Sequence, residues 1–209
     1  MTIVAIKTGA GGGSTKIELS DGSSFSFKDC YLPPYAPVVA EGREVSGEEE
    51  AGFRFASACL RAEKAALQLI ARAEQNSLGL QRKLEKRRHD PACVRAVIAR
   101  LAETGLLDNR RYARLWLETR IARQATSPWR LLAALRSRGV DRQDAHEALR
   151  DLLDDDGELL LLRRYAEKLE RKRAKRAARG GAAAGPPSLR YLLKSEGFSS
   201  LAIQRFFDE

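Results

Sequence analysis

Apolar and polar residues alternate at the start of the chain. Ile17 and Leu19 are set among Lys16, Glu18 and Ser20, and Phe25 and Phe27 among Ser24 and Ser26. A period of two predicts strands. Strands over residues 2–7 and 15–20, with a third reached through the hairpin signal Asp21-Gly22, make a small three-stranded meander. Pro33, Pro34 and Pro37 then break regular structure. Beyond them the period becomes helical. Ser46 and Glu49 have the spacing of a capping box. Phe53, Ala56, Leu60, Leu67 and Ile70 follow at intervals of three, four and seven. Helical patterns continue to the end, interrupted at Asn76-Ser77, Asp90-Pro91, Thr104-Gly105, Ser127-Pro128, Gly139, Gly157 and "GGAAAGPP".

Three stretches repeat one another: "LQRKLEKRRHDPACVRAVI" from Leu80, "LLAALRSRGVDRQDAHEAL" from Leu131 and "LRYLLKSEGFSSLAIQRFF" from Leu189. Each has leucine at its first and fifth places, on one helical face. Gly139 and Gly197 suit the left-handed residue that ends a helix, and Val140 and Phe198 can fold back on it. Arg88 and His89 stand in the same two places of the first repeat. A left-handed Arg88 costs on the order of 1 kcal/mol relative to glycine. Asp90, Asp141 and Ser199 then cap the next helix. Its core face is expected four and eight places later, at Val94 and Ile98, Ala145 and Leu149, Ile203 and Phe207. Another helix precedes each pair, near residues 52–73, 108–124 and 158–176. The expected fold is mainly α: three tandem three-helix bundles behind a small β-meander. The expected boundaries are 1–45 for the strands and 46–107, 108–156 and 157–209 for the repeats, with a Gly/Ala/Pro insertion at 180–187. Each repeat is too small for much of a core alone, so neighbours should pack in series.

Composition adds a direction to this picture. The 209 residues carry a formal net charge of +9, with a pI near 9.7. Residues 1–50 have a net charge of −4, residues 51–107 +6, residues 108–156 +1 and residues 157–209 +6. Positive charge on the helical part points to a polyanionic partner. Three separated cysteines, Cys30, Cys59 and Cys93, form no metal or disulfide spacing and suit a reducing, cytoplasmic setting. No apolar run reaches the roughly 20 residues of a membrane span, and no signal peptide is evident.

Candidate chemistry is sparse. "KTGAGGGSTKIEL" places Ser14 and Thr15 before Lys16 and leads into a strand. A phosphate loop needs the lysine first and a helix after it. His89 reads as a packing residue at a helix end, His146 as an exposed helix residue and Cys93 as a small helical hydrophobe. Asp154, Asp155 and Asp156 read as a loop that starts the next helix. Nucleophile, metal and cofactor motifs are missing, so a binding protein rather than an enzyme is expected.

The basic residues are the binding candidates. Arg82, Lys83, Lys86 and Arg87 surround Leu84. In "NRRYARLWLETRIAR", Tyr112, Leu115, Trp116 and Thr119 have core spacing, which leaves Arg110, Arg111, Arg114, Arg120 and Arg123 outside. From Arg163 to Arg179 there are nine basic and two acidic residues, and large apolar residues stop at Leu169. That helix should run out of core and project Arg164, Lys168, Arg171, Lys172 and Lys175. Alanine at these five positions is expected to weaken binding with little loss of stability.

The segment from Leu69 to Arg120, with "GLLDNRRYARLW" and the final "LRYLLKSEGFSSLAIQRFF", resembles the bacterial RecX family over roughly residues 56–209. The resemblance implies tandem three-helix repeats in an elongated, curved monomer. It implies binding to the RecA filament on single- and double-stranded DNA, and inhibition of RecA's ATP hydrolysis, strand exchange and co-protease activity, with no cofactor. Arg88 departs from the family's usual glycine, and the insertion loosens the third repeat. An independent, non-sequence-specific DNA-binding helical protein is the competing reading, because three-helix units also resemble helix-turn-helix architecture.

Overall fold

A computed structural model describes residues 1–9, 13–33, 39–178 and 187–208. The middle of the glycine-rich loop, Pro34, Pro37 and the insertion as far as Pro186 lie outside the described residues. The chain divides into two compact units, Met1–Leu107 and Asp108–Glu209.

In the first unit, β1 (Ile3–Thr8), β2 (Thr15–Leu19) and β3 (Ser24–Phe27) form an antiparallel sheet in that order. The β2–β3 turn contains Gly22 at φ 87°, and Asp21 accepts a bond from the Ser23 N–H. Alternation buries Ile17, Leu19, Phe25 and Phe27 on one face. α1 (Gly47–Ile70) covers that face, and the Phe27 and Phe53 rings stack with centroids 5.3 Å apart. The capping box is complete: Ser46 Oγ accepts from the Glu49 N–H, and the Glu49 carboxylate accepts from the Ser46 N–H.

α2 (Ser77–Lys86) and α3 (Pro91–Glu103) complete this unit. Strands and helices share one continuous core, so the sheet is built into the first helical repeat and does not form a core of its own. The α1 stripe also differs from the expectation after Leu60. Cys59, Ala62 and Ala66 are buried, whereas Leu67 is exposed. Small side chains let α1 lie close to its neighbours, and the larger Leu67 falls at the edge.

The second unit holds six helices among its described residues. α4 (Asn109–Arg123), α5 (Pro128–Ser137) and α6 (Arg142–Leu152) enclose one core, centred on Leu117, Leu131 and Leu135. α7 (Asp155–Ala178), α8 (Leu189–Glu196) and α9 (Ser200–Asp208) enclose another, centred on Leu161, Leu162 and Leu193. Ile121 and Leu153 pack against both cores and join them. The stretch of three aspartates starts α7, and Asp154 accepts from the Gly157 N–H.

Two faces are rotated from their expected positions. On α4, Ala113 and Leu117 are fully buried and Tyr112 and Trp116 flank them, while Leu115 is 43% exposed and Thr119 is also exposed. α4 packs closely on α6, whose inner face offers Ala145 and Ala148. Contact between small residues centres the interface on Ala113 and turns Leu115 outward. On α9, Phe207 is 41% exposed and Phe206 packs inward with Ala202 and Ile203. Similarly, Val97 is more deeply buried than Ile98 on α3. The inner face therefore falls three, four and seven places after the cap, the ordinary helical stripe.

The repeat is visible in the backbone itself. Arg88, Gly139 and Gly197 have φ of 62°, 85° and 98°. The N–H groups of His89, Val140 and Phe198 donate back to the carbonyls of Leu84, Leu135 and Leu193 at 3.3, 3.2 and 3.3 Å. This is a Schellman closure made three times. Asp90, Asp141 and Ser199 each accept an N–H bond from the helix that follows. Arg88 alone carries a side chain in the left-handed position. Arg88→Gly should stabilise the first unit by about 0.5–1 kcal/mol in urea unfolding followed by circular dichroism. Unchanged or lower stability would show that this position is not strained.

Candidate polyanion-binding surface

The fourteen basic candidates do not form one surface class. Some are spent on the fold. Lys83 Nζ donates to Gln75 Oε1 at 2.6 Å, and Gln75 in turn donates to the carbonyl of Ala73 beyond the α1 C-terminus. Arg110 bridges Glu147 and Asp151 of α6 at 2.9 Å each. These carboxylates raise its pKa further above the ordinary arginine value, Asp151 most strongly. The same helix carries Asp144, which burial and then the neighbouring Asp141 push up to about 6. Arg114 pairs with Glu118 and Arg171 with Glu167, each one turn away, but these pairs are exposed and contribute little to the fold.

Arg164 differs most from its expected place. Its guanidinium is half-buried and donates to the carbonyls of Ile121 and Ala122 at 3.1 and 3.2 Å. These lie in the last turn of α4, where carbonyls lack helical partners. Arg164 thus caps α4 from α7. Charge-assisted bonds of this kind contribute roughly 1.5–3 kcal/mol, so a five-residue alanine set that includes Arg164 is not neutral for stability.

Apart from half-buried Arg120, the remaining candidates are open to solvent. Arg82, Lys86 and Arg87 lie exposed along α2 and just after it. In the second unit, Arg123 is exposed at the end of α4, and Arg111 is exposed near its start. Lys168, Lys172 and Lys175 project from α7 beside Arg171 and have no carboxylate partner among the described residues. The buried face of α7 ends at Ala166, and the helix continues to Ala178 with only Leu169 and Arg173 half-buried. This solvent-facing run follows directly from the loss of large apolar residues after Leu169.

Between α4, α5 and α7 lies a groove of ≈ 430 Å³. Lys168 and Ala125 line it and also line the adjoining hollow above Lys172 and Lys175, so cationic character is continuous from one to the other. One wall is Trp116, half-buried, with the Arg138 guanidinium 4.7 Å and the Arg120 guanidinium 5.7 Å from its ring centre. Both separations are within reach of a cation–π attraction. The other wall is Trp129, 62% exposed.

The groove floor is a polar knot. Buried Glu196, at the end of α8, accepts from Arg130 Nε at 2.7 Å and from the Tyr165 hydroxyl at 2.9 Å. The Ser127 hydroxyl donates to the Glu196 carbonyl at 2.7 Å. Burial and the Glu196 carboxylate raise the Tyr165 pKa to about 12, which keeps the phenol a donor.

The charge run and helix end are readable from sequence, whereas the roles of Trp129 and Glu196 follow from the structure. For Trp129 a signal existed. It precedes Leu131 by two residues, and a helical residue two places from the core stripe does not share its face. Glu196 is buried by contacts with residues 31 to 69 positions away in the chain, which no local pattern carries.

The fold and this surface define a helical-repeat protein with an exposed cationic groove. The family model for the RecX second three-helix domain matches residues 108–149. Regulatory protein RecX of Treponema pallidum (strain Nichols) is 33% identical over 164 residues, covering 78% of this chain and 94% of the relative. Regulatory protein RecX of Ectopseudomonas mendocina is 37% identical over 124 residues, covering 58% and 82%. A crystal structure of regulatory protein RecX superposes with a TM-score of 0.75 at 20% identity, over 100% of this chain and 99% of the other. The RecX structure from Lactobacillus salivarius gives 0.58 at 19% identity, over 72% and 95%. The chain belongs to the RecX family of regulatory proteins.

Proposed function

We propose that this protein binds the RecA filament on DNA and restrains its ATP hydrolysis and strand exchange. Family membership supports RecA as the partner. The cationic run on α7, continuous with the groove, is the observation that carries a DNA-loaded filament as the target. Such a filament presents phosphates together with protein surface, and Lys168, Arg171, Lys172 and Lys175 offer charge to both. Inhibition is then steric and electrostatic: the bound repeats resist the conformational cycle of the filament, and no covalent chemistry is required of this chain.

The competing reading is an independent, non-sequence-specific DNA-binding helical protein, which the same α7 cations would serve; sequence-specific reading through α6 has less support. α6, the second helix of a helix-turn-helix in its repeat, carries Asp144, Glu147 and Asp151, and two of these hold Arg110. Carboxylates facing a major groove would repel phosphates and could only accept from the amino groups of cytosine or adenine.

Replacing Lys168, Arg171, Lys172 and Lys175 by alanine, with Arg164 retained, tests the α7 assignment. Filament affinity should fall at least tenfold, and the dependence of log affinity on log salt should flatten by up to about four phosphate contacts. Unfolding in urea should be nearly unchanged, because these side chains are exposed. Undiminished filament affinity would reduce the α7 run to a solubilising surface.

A further inference from the structure

We propose that Trp129 is a stacking platform for an unpaired nucleobase, with the α7 lysines engaging the phosphates that flank it. The groove is thus a binding site for single-stranded nucleic acid.

The two tryptophans of the chain differ in a way that decides which one can serve. The ring of Trp116 is approached by Arg120 and Arg138 of its own chain and packs against the α4–α6 core. The ring of Trp129 has no aromatic or cationic contact among the described residues, and 62% of the residue is open to solvent. A large apolar ring left in water is unfavourable relative to burial, and Leu131 and Leu135 already supply the buried face of the helix that bears it.

The exposed ring is nevertheless supported on one side. Gly197 lies directly beneath it. A Cβ at that glycine would be 2.7 Å from Trp129 Cβ and 3.1 and 3.4 Å from ring atoms Cγ and Cδ2. One side of the tryptophan therefore rests on bare backbone. That backbone is fixed by the helix closure at Gly197 and by the Ser127–Glu196 bond. A platform immobilised before binding loses little entropy when a base stacks on it.

The surroundings select the ligand class. Arg130 is neutralised by Glu196, whereas Arg120 and Lys168 line the same groove with no carboxylate partner among the described residues. Lys172 and Lys175 extend the positive track. An aromatic face beside a track of cations is the arrangement that binds single strands without sequence preference. Duplex offers phosphates but keeps its bases stacked. An acidic protein segment could satisfy the cations but would leave the ring uncovered.

This inference rests on the polyanion-binding part of the proposed function. Oligonucleotide binding measured without RecA distinguishes its failure from a failure of filament regulation. The full-length protein is titrated into fluorescent 12-nucleotide oligo-dT, an abasic strand of equal length and charge, and a duplex, at fixed salt. Oligo-dT should bind at least tenfold more tightly than the abasic strand and quench tryptophan emission. Trp129→Ala should weaken oligo-dT binding about 5- to 150-fold, the range for loss of a stacked base. It should leave the abasic and duplex affinities unchanged, and Trp129→Phe should retain most of the oligo-dT affinity. Equal affinity of the wild-type protein for oligo-dT and the abasic strand overturns the proposal and needs no variant to fold. Equal losses on all three ligands in Trp129→Ala also overturn it. So does an effect of Trp129→Ala on filament binding with oligo-dT unchanged, which would make the groove a protein contact.

Discussion

Leu135→Ala should lower the stability of the second unit by roughly 2–5 kcal/mol, the range for a buried leucine cut back to alanine. Leu135 is fully buried at the centre of the α4–α6 core, and its carbonyl accepts the N–H of Val140 in the helix closure. The core around it is small and includes three alanines, Ala113, Ala145 and Ala148. Helices already in close contact through alanine have little room to collapse into a void, so the loss should lie in the upper part of that range. Both tryptophans belong to this unit, so their fluorescence in urea reports its unfolding without interference from the first. A loss below about 0.5 kcal/mol would remove Leu135 from the core.

Gly197→Ala should be of comparable size, roughly 2–4 kcal/mol, for a different reason. At φ 98° any side chain is strained, by on the order of 1–2 kcal/mol. In addition, the new methyl would lie 2.7 Å from the Trp129 Cβ, an atom tied to the backbone of α5. Neither side can yield without moving a helix. Gly105 provides the control, because it has φ 70° and open space where a Cβ would be. Gly105→Ala in the first unit should show the conformational cost alone, about 1 kcal/mol. If the two substitutions cost the same, the contact between Trp129 and Gly197 is not tight, and the rigid platform loses its basis.

These two positions also show what sequence can reveal. The helix closures at Arg88, Gly139 and Gly197, and the caps at Asp90, Asp141 and Ser199, leave local marks in residue type. The threefold repeat was therefore readable before any coordinates. The strands were readable for the same reason, since Ile17, Leu19, Phe25 and Phe27 obey a simple alternation. The inward faces of α4 and α9 were not. Their orientation is decided by where alanines on a neighbouring helix permit close approach, so Leu115 and Phe207 turn outward although their spacing suits a core.

The candidate surface divides along the same line. A dense run such as Arg163 to Arg179 announces itself. The fate of each charge depends on partners distant in sequence: Arg164 reaches the carbonyls of Ile121 and Ala122, and Arg110 reaches Glu147 and Asp151. Only the coordinates separate cations that hold the fold together from Lys168, Lys172 and Lys175.

The measurement that bears most directly on function is the DNA-dependent ATP hydrolysis of RecA titrated with this protein. Strong inhibition at well below one molecule per RecA subunit is expected of a regulator that acts along the filament. Undiminished hydrolysis at equimolar protein would contradict it, and if this chain still bound DNA by itself, it would be a nucleic-acid-binding protein in its own right.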